Sequence, residues 1–175
     1  MPVVPDTKDW TWVLQRRCPE CGYDASAITR AAVPGLIRDN AAAWQAWLGN
    51  RDVADLRTRP REDRWSAAEY ACHVRDVYRI YDQRLVLMLE QDDPAFPNWD
   101  QDATAVADRY QDQDPGVVAD QLAEAADRIA SRFAGLTPAH WERTGSRSDG
   151  AHFSVDSFAR YLIHDPVHHL HDVGG

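Results

Sequence analysis

Three of the chain's seven histidines have types and spacing that suit metal chemistry. His164 and His168 sit four residues apart near the C-terminus, and His73 lies far upstream. An i, i+4 pair places both imidazoles on one side of a helix, about one turn apart. A third imidazole from a packed neighbouring helix would complete a facial set with positions open to water or substrate, which is the pattern of a catalytic metal site. All-imidazole sets suit Zn, Ni, Fe or Cu, and here Zn or Ni is expected first, with Fe as a further choice. The competing reading is that His73 is a satisfied core histidine and the C-terminal cluster faces solvent. Against it, burying several imidazoles without a ligand would leave polar nitrogens in need of other partners. Asp76, one turn after His73, and Asp165, beside His164, are placed to accept a ring N–H and orient a ligand. Asp172 is a further candidate for that role, and Tyr161, one turn before His164, could donate a hydrogen bond in the pocket. His171 is a reserve ligand on the same face. His169 points roughly 140° from His164 and is assigned to another helix or a partner subunit.

Cys18 and Cys21 form a C-x-x-C within CPECG, and Cys72 stands alone beside His73. An odd cysteine count does not make a disulfide framework, and in a reducing cytosol the pair suggests metal or redox chemistry. The segment resembles one knuckle of a zinc ribbon, but no second pair exists to complete four ligands. Three readings therefore stay open: a zinc site completed by a histidine or a partner subunit, a redox pair, or a tight turn with two small buried thiols. Cys72 points about 100° away from His73 on the same helix and is assigned to the core.

The elements that must carry these residues are helical. A helical pattern starts near Asp24 or Ser26, or at Pro34, and runs to Gly49, with Ile37, Ala41, Trp44 and Leu48 as its buried stripe. Ser66 and Glu69 form a capping box, with Trp65 as half of a hydrophobic staple, ahead of about 26 residues free of Gly and Pro. Tyr70, His73, Val74, Val77, Tyr81, Leu85 and Met88 mark the inward stripe of that helix, with Arg75, Arg79 and Asp82 on more polar arcs. Residues 92–113 read as an acidic, proline-punctuated loop with a short helix after Asp102. Its Trp99, Asp100 and Asp102 are candidates for covering a cavity mouth, against the plainer reading of a solvated connector. Asp114 and Pro115 supply an N-cap and an N1 proline for the next long helix, which Gly135 ends. GSRSDGAHF carries hairpin-like turn chemistry. The last helix begins at Ser154 or Val155 and contains Pro166, which removes one backbone bond. Four long amphipathic segments with almost no strand signal predict an all-α four-helix bundle over residues 24–175, preceded by an irregular segment over 1–23.

The composition narrows the partners. A net charge of -9 argues against nucleic acid, whose phosphates call for clustered Lys and Arg. No stretch approaches the roughly 20 apolar residues of a membrane span, and MPVVPDTKDW lacks the basic and apolar regions of a secretory signal, so a cytoplasmic location is expected.

The run W-S-x-x-E-Y-x-x-H-V-x-D (Trp65–Asp76), followed about ninety residues on by H-x-x-x-H-H-L-x-D-V (His164–Val173), resembles the DinB/YfiT-like superfamily of bacterial four-helix bundles. The likeness covers most of residues 26–173 and leaves CPECG unexplained. It implies a histidine triad at one end of the bundle, carried over here as His73, His164 and His168, and a homodimer. It also implies an activity in the range of mycothiol- or bacillithiol-dependent transferases and isomerases, with a metal favouring the thiolate of the cofactor. The expected substrate is accordingly a small molecule or thiol, with mycothiol as a candidate cofactor. The alternative class is a binding or stress-response module in which the metal only clamps helices. No catalytic side chain beyond the ligands is assigned.

Overall fold

The computed structural model describes residues 9–175; the first eight residues of the expected N-terminal segment lie outside them. Four long helices form the body: α1 (Val33–Gly49), α3 (Ala67–Glu90), α5 (Pro115–Ala134) and α6 (Val155–Asp172). Two short ones, α2 (Val53–Arg57) and α4 (Gln101–Ala107), lie in the connections. Helix α5 packs along both α1 and α3, and α6 packs against α1 and α3. No helix among the described residues is long and apolar enough to cross a membrane.

Local chemistry sets the helix starts. In α1 the proline stands in the first turn, so the helix begins at Val33, while Asp24 caps only a short 3-10 turn, accepting from the Ser26 N–H at 3.0 Å. At α3 the Ser66–Glu69 capping box is complete, and the Trp65 and Tyr70 rings meet at 5.5 Å as the expected staple. Asp114 caps α5, accepting from the Gly116 and Val117 N–H groups. Ser154 caps α6 in a second box closed by Ser157.

The predicted stripe of α1 is buried at Ile37, Ala41, Trp44 and Leu48. Helix α3 is buried on more sides than its apolar stripe implies. Arg75 and Asp82, expected on polar arcs, are buried and paired: Arg75 with Asp76 at 2.9 Å, and Asp82 with Arg132 at 2.6 Å. Burying a charge on such a helix is costly, and pairing with an opposite charge offsets that cost.

Three short strands add to the sparse strand signal of the sequence, and two of them flank the hairpin-like turn read in GSRSDGAHF. β1 (Ala95–Phe96) pairs in parallel with β2 (Thr144–Arg147), which pairs antiparallel with β3 (His152–Ser154), giving the order β1-β2-β3. Strands of two to four residues are too short to show a period-2 pattern in sequence. Their effect is positional, since β3 runs directly into the cap of α6 and β2 carries Arg147 to the cavity described next.

Candidate metal centres at the head of the bundle

A cavity of about 950 Å³ opens beside α3 and α6, with Trp99, Arg147, Tyr161, His164, Asp165, His168 and His169 in its lining. His73 lies behind this wall and is fully buried. The three histidines expected to form one triad are divided between two groups of donors. His73 converges with Asp165 and His169, whereas His164 and His168 converge with Cys18 and Cys21; within each group the ligand atoms lie within 4.8 Å of one another.

The geometry of α6 explains the division. His164/His168 and Asp165/His169 are both i, i+4 pairs, offset by one residue and hence by about 100° around the helix. The face of α6 turned toward α3 carries Asp165 and His169. The face carrying His164 and His168 is covered by the segment before α1, whose Trp10 ring lies 5.0 Å from His168 and 5.5 Å from His164. The angle of His169 to His164 sets it apart from that pair, but places it beside His73. The D-x-x-x-H spacing at 165 and 169 was the available signal.

In the first group, His73 Nε2 and Asp165 Oδ1 stand 3.3 Å apart without forming a hydrogen bond. Both ring nitrogens of His73 and Asp165 Oδ1 are buried with no hydrogen-bond partner among the described residues. Such groups are rare unless something absent from the protein chain engages them. Trp99 stacks face to face on His73 at 5.2 Å, and the Trp65 ring lies 5.3 Å away, so this imidazole is held rigidly. His169 Nδ1 pairs with Asp172 Oδ2 at 3.0 Å, and Arg64 bonds the other Asp172 oxygen at 3.0 Å. That leaves His169 Nε2 directed toward Asp165 Oδ1, 3.8 Å away. A carboxylate behind a ring nitrogen is the arrangement that orients metal-ligating histidines. Burial alone would raise the pKa of Asp165, but His73 and His169 beside it outweigh that and hold it below the ordinary carboxylate range. Asp165, expected in a supporting role, thus belongs to the donor set itself.

In the second group, Cys18 Sγ lies 3.7 Å from His168 Nδ1, and His164 Nε2 is buried without a partner among the described residues. The other nitrogen of His168 faces Glu20 at 3.5 Å and Asp172 at 3.8 Å; these three form a third donor group within the same 4.8 Å, with Glu20 exposed. Burial drives the pKa of His164 down to about 4, helped by the charge of His168, and lowers His168 as well. Burial pushes the Cys21 thiol up to about 11 although the Tyr23 backbone N–H opposes it.

The remaining sequence-based assignments divide. Asp76 does not stand behind His73: both of its oxygens face the buried Arg75 at 2.9 Å, and Tyr110 donates to it at 2.6 Å. The Tyr161 hydroxyl accepts from Arg147 at 3.3 Å in the cavity wall and belongs to neither donor group. Cys72 is core, with its sulfur 3.9 Å from the Tyr110 carbonyl oxygen. His171 is exposed. Trp99, Asp100 and Asp102 all line the cavity, and Asp100 also caps α4 by accepting from the Ala103 N–H at 2.9 Å.

Comparison with known proteins agrees with this architecture. A sequence profile of the DinB superfamily matches residues 36–173. Among solved structures, the chain is similar to YfiT from Bacillus subtilis, described as a probable metal-dependent hydrolase with an unusual four-helix bundle topology, with a TM-score of 0.75 at 18% identity over 84% of this chain and 88% of that one. At that identity the likeness speaks for the fold. No protein of curated function matches the chain.

Proposed function

The chain belongs to the DinB superfamily, and from that premise we propose that it is a metal-dependent enzyme whose divalent cation is held by His73, Asp165 and His169. The carrying observation is the convergence of these donors, with three of their polar atoms buried and outside hydrogen-bond geometry with any described residue, beside a cavity of about 950 Å³. Two imidazoles and a carboxylate on one side of an ion leave other positions open, as in sites that activate a ligand. When bound, the cation supplies a Lewis acid that brings a coordinated water or thiol toward deprotonation near neutral pH.

The protein's own residues do the rest. Trp65 and Trp99 fix the plane of His73, and Arg64 with Asp172 fixes the tautomer and direction of His169. Asp165 brings a negative charge that partly offsets that of a dication. Arg84 and Arg147 line the same cavity. Arg84 is buried, donates to the Pro97 carbonyl oxygen at 2.9 Å, and has no carboxylate within ion-pair distance among the described residues. A buried guanidinium without a carboxylate suits an anionic group on the substrate.

The finer reading is a transferase or isomerase in which a small thiol of the mycothiol type is the nucleophile. The polar cavity rim, with Asn98, Asp100 and Asp149, offers hydrogen-bonding groups to a hydroxyl-rich cofactor. Hydrolysis, the activity ascribed to YfiT, is the alternative that the same donors would serve with water. The test is to load the protein with Zn or Ni and follow consumption of mycothiol with an electrophilic substrate, against ester hydrolysis without thiol. Asp165→Asn and His73→Ala should each lower metal affinity at this group by more than the roughly 10–100-fold typical of supporting residues, and abolish turnover. Unchanged metal affinity in both variants would refute the assignment of this donor set; hydrolysis without thiol dependence would refute the thiol reading alone.

A further inference from the structure

We infer that the chain carries a second metal site, a structural zinc held by Cys18, Cys21, His164 and His168, which clamps the segment before α1 onto α6. Four donors of the right types converge, their ligand atoms all within 4.8 Å of one another. The edges of a tetrahedral zinc site run from about 3.3 Å between nitrogens to about 3.8 Å between sulfurs. Cys18 Sγ and His168 Nδ1, at 3.7 Å, are already at such a separation.

The surroundings are built for a closed site. Cys18, His164 and His168 are at most 6% exposed. Trp10, Trp12 and Tyr23 place their rings 5.5–6.5 Å from His164 and cover one side of the site, while Cys21 is half-buried and the two histidines also border the cavity. The turn between the cysteines is tight: the Gly22 N–H bonds the Cys18 carbonyl oxygen at 3.0 Å, the Cys18 N–H bonds the Tyr23 carbonyl oxygen at 2.8 Å, and Gly22 has φ +77°, which a side chain would resist. His164 Nε2 is a buried nitrogen with no protein partner among the described residues. His168 directs Nδ1 to the sulfur and Nε2 to Asp172 and Glu20, so carboxylates stand behind this ligand too.

The charges balance. Binding releases the two thiol protons to solvent, the imidazoles bind neutral, and two thiolates offset the dication, so the buried centre carries no net charge. The softer sulfur-containing set selects zinc, whereas the His73–Asp165–His169 set has an oxygen donor and open positions. The two sites differ in kind, one closed and one open, and they share Asp172, which contacts a histidine of each.

The experiment counts metal and reads its ligands. Untagged wild-type protein should retain about two equivalents of divalent metal when zinc is supplied, one of them resistant to mild chelation. Replacing zinc by cobalt(II) should produce a near-ultraviolet thiolate-to-cobalt charge-transfer band. That band should disappear in the C18S/C21S double variant and persist in the H73A/H169A double variant, each retaining about one equivalent. Wild-type protein that binds metal without a thiolate band, or a freshly purified wild type whose Cys18 and Cys21 are joined in a disulfide with no zinc, overturns the inference. Failure of the open site would show instead as a normal band with one equivalent in wild type and no loss in H73A/H169A. The wild-type spectrum decides the question even if a variant does not fold.

Discussion

Replacing Asp76 by alanine should destabilise the protein severely while leaving metal binding intact. The Asp76 carboxylate receives two bonds from Arg75 at 2.9 Å, one from Tyr110 at 2.6 Å and one from Arg79 at 3.2 Å. Arg75 is 4% exposed and Asp76 is 7% exposed, so truncation strands a guanidinium away from water with only Gln113 and Gln121 as acceptors. Breaking a buried pair from one side costs about 3–5 kcal/mol. With a urea slope of about 2 kcal/mol per M, the unfolding midpoint should fall by about 1.5–2.5 M. The double variant Arg75→Leu/Asp76→Leu should recover part of that loss, because it leaves no unpaired charge inside. The pH dependence has a definite sign. Burial would raise the pKa of Asp76, but Arg75 and the Tyr110 hydroxyl more than reverse this, so the folded value is depressed. The stabilisation is therefore complete above the unfolded pKa of about 3.9 and is lost as pH falls through the lower folded value. Urea titrations at fixed metal concentration, at neutral pH and again below pH 4, measure both effects. A loss under about 1 kcal/mol at neutral pH would refute the buried-pair argument. A fall in metal content in the folded Asp76→Ala protein would place Asp76 behind His73 after all.

Two further substitutions test the frame around the site. Gly145→Ala puts a methyl group 2.8 Å from Met88 Cγ and 3.0 Å from Phe96 Cε1; overpacking of this kind costs about 1–3 kcal/mol, and a thermal melt should fall by roughly 2–4 °C per kcal/mol. A melting temperature equal to wild type would mean that Met88 swings aside freely. Ser66→Ala removes the acceptor for the Glu69 N–H at the start of the helix that holds His73; it should cost about 1 kcal/mol in the same assay without changing metal stoichiometry.

The bundle was legible because its signals are local. The Ser66–Glu69 box, the Asp114–Pro115 pair and the apolar spacing of Ile37, Ala41, Trp44 and Leu48 each act within a few residues, and each appears where the pattern places it. Of the sheet, the turn chemistry of GSRSDGAHF marked the β2–β3 hairpin, whereas the pairing of Ala95 with Ser146 was not legible, because it joins strands about fifty residues apart and too short to carry a period. The donor residue types of the proposed sites were legible, but their grouping was not. Two overlapping i, i+4 pairs on α6 fit helical pitch equally well, and choosing between them required knowing which face α3 met. That is a tertiary fact set by packing. The same limit left CPECG without its partners, since Cys18 meets His168 across a separation of 150 residues.

Three successive positions on α6 look in three directions. His164 faces the cysteine turn, Asp165 faces His73, and the Pro166 carbonyl oxygen accepts from the Trp44 indole N–H at 3.2 Å. The His164 and Asp165 side chains diverge by about 100° around the helix, and the Trp44 indole grips its backbone from α1, so attachments from three different elements hold the rod. Any twist that tightened one of them would pull another out of line, so the azimuth of this helix is locked like a key whose wards are cut on every side.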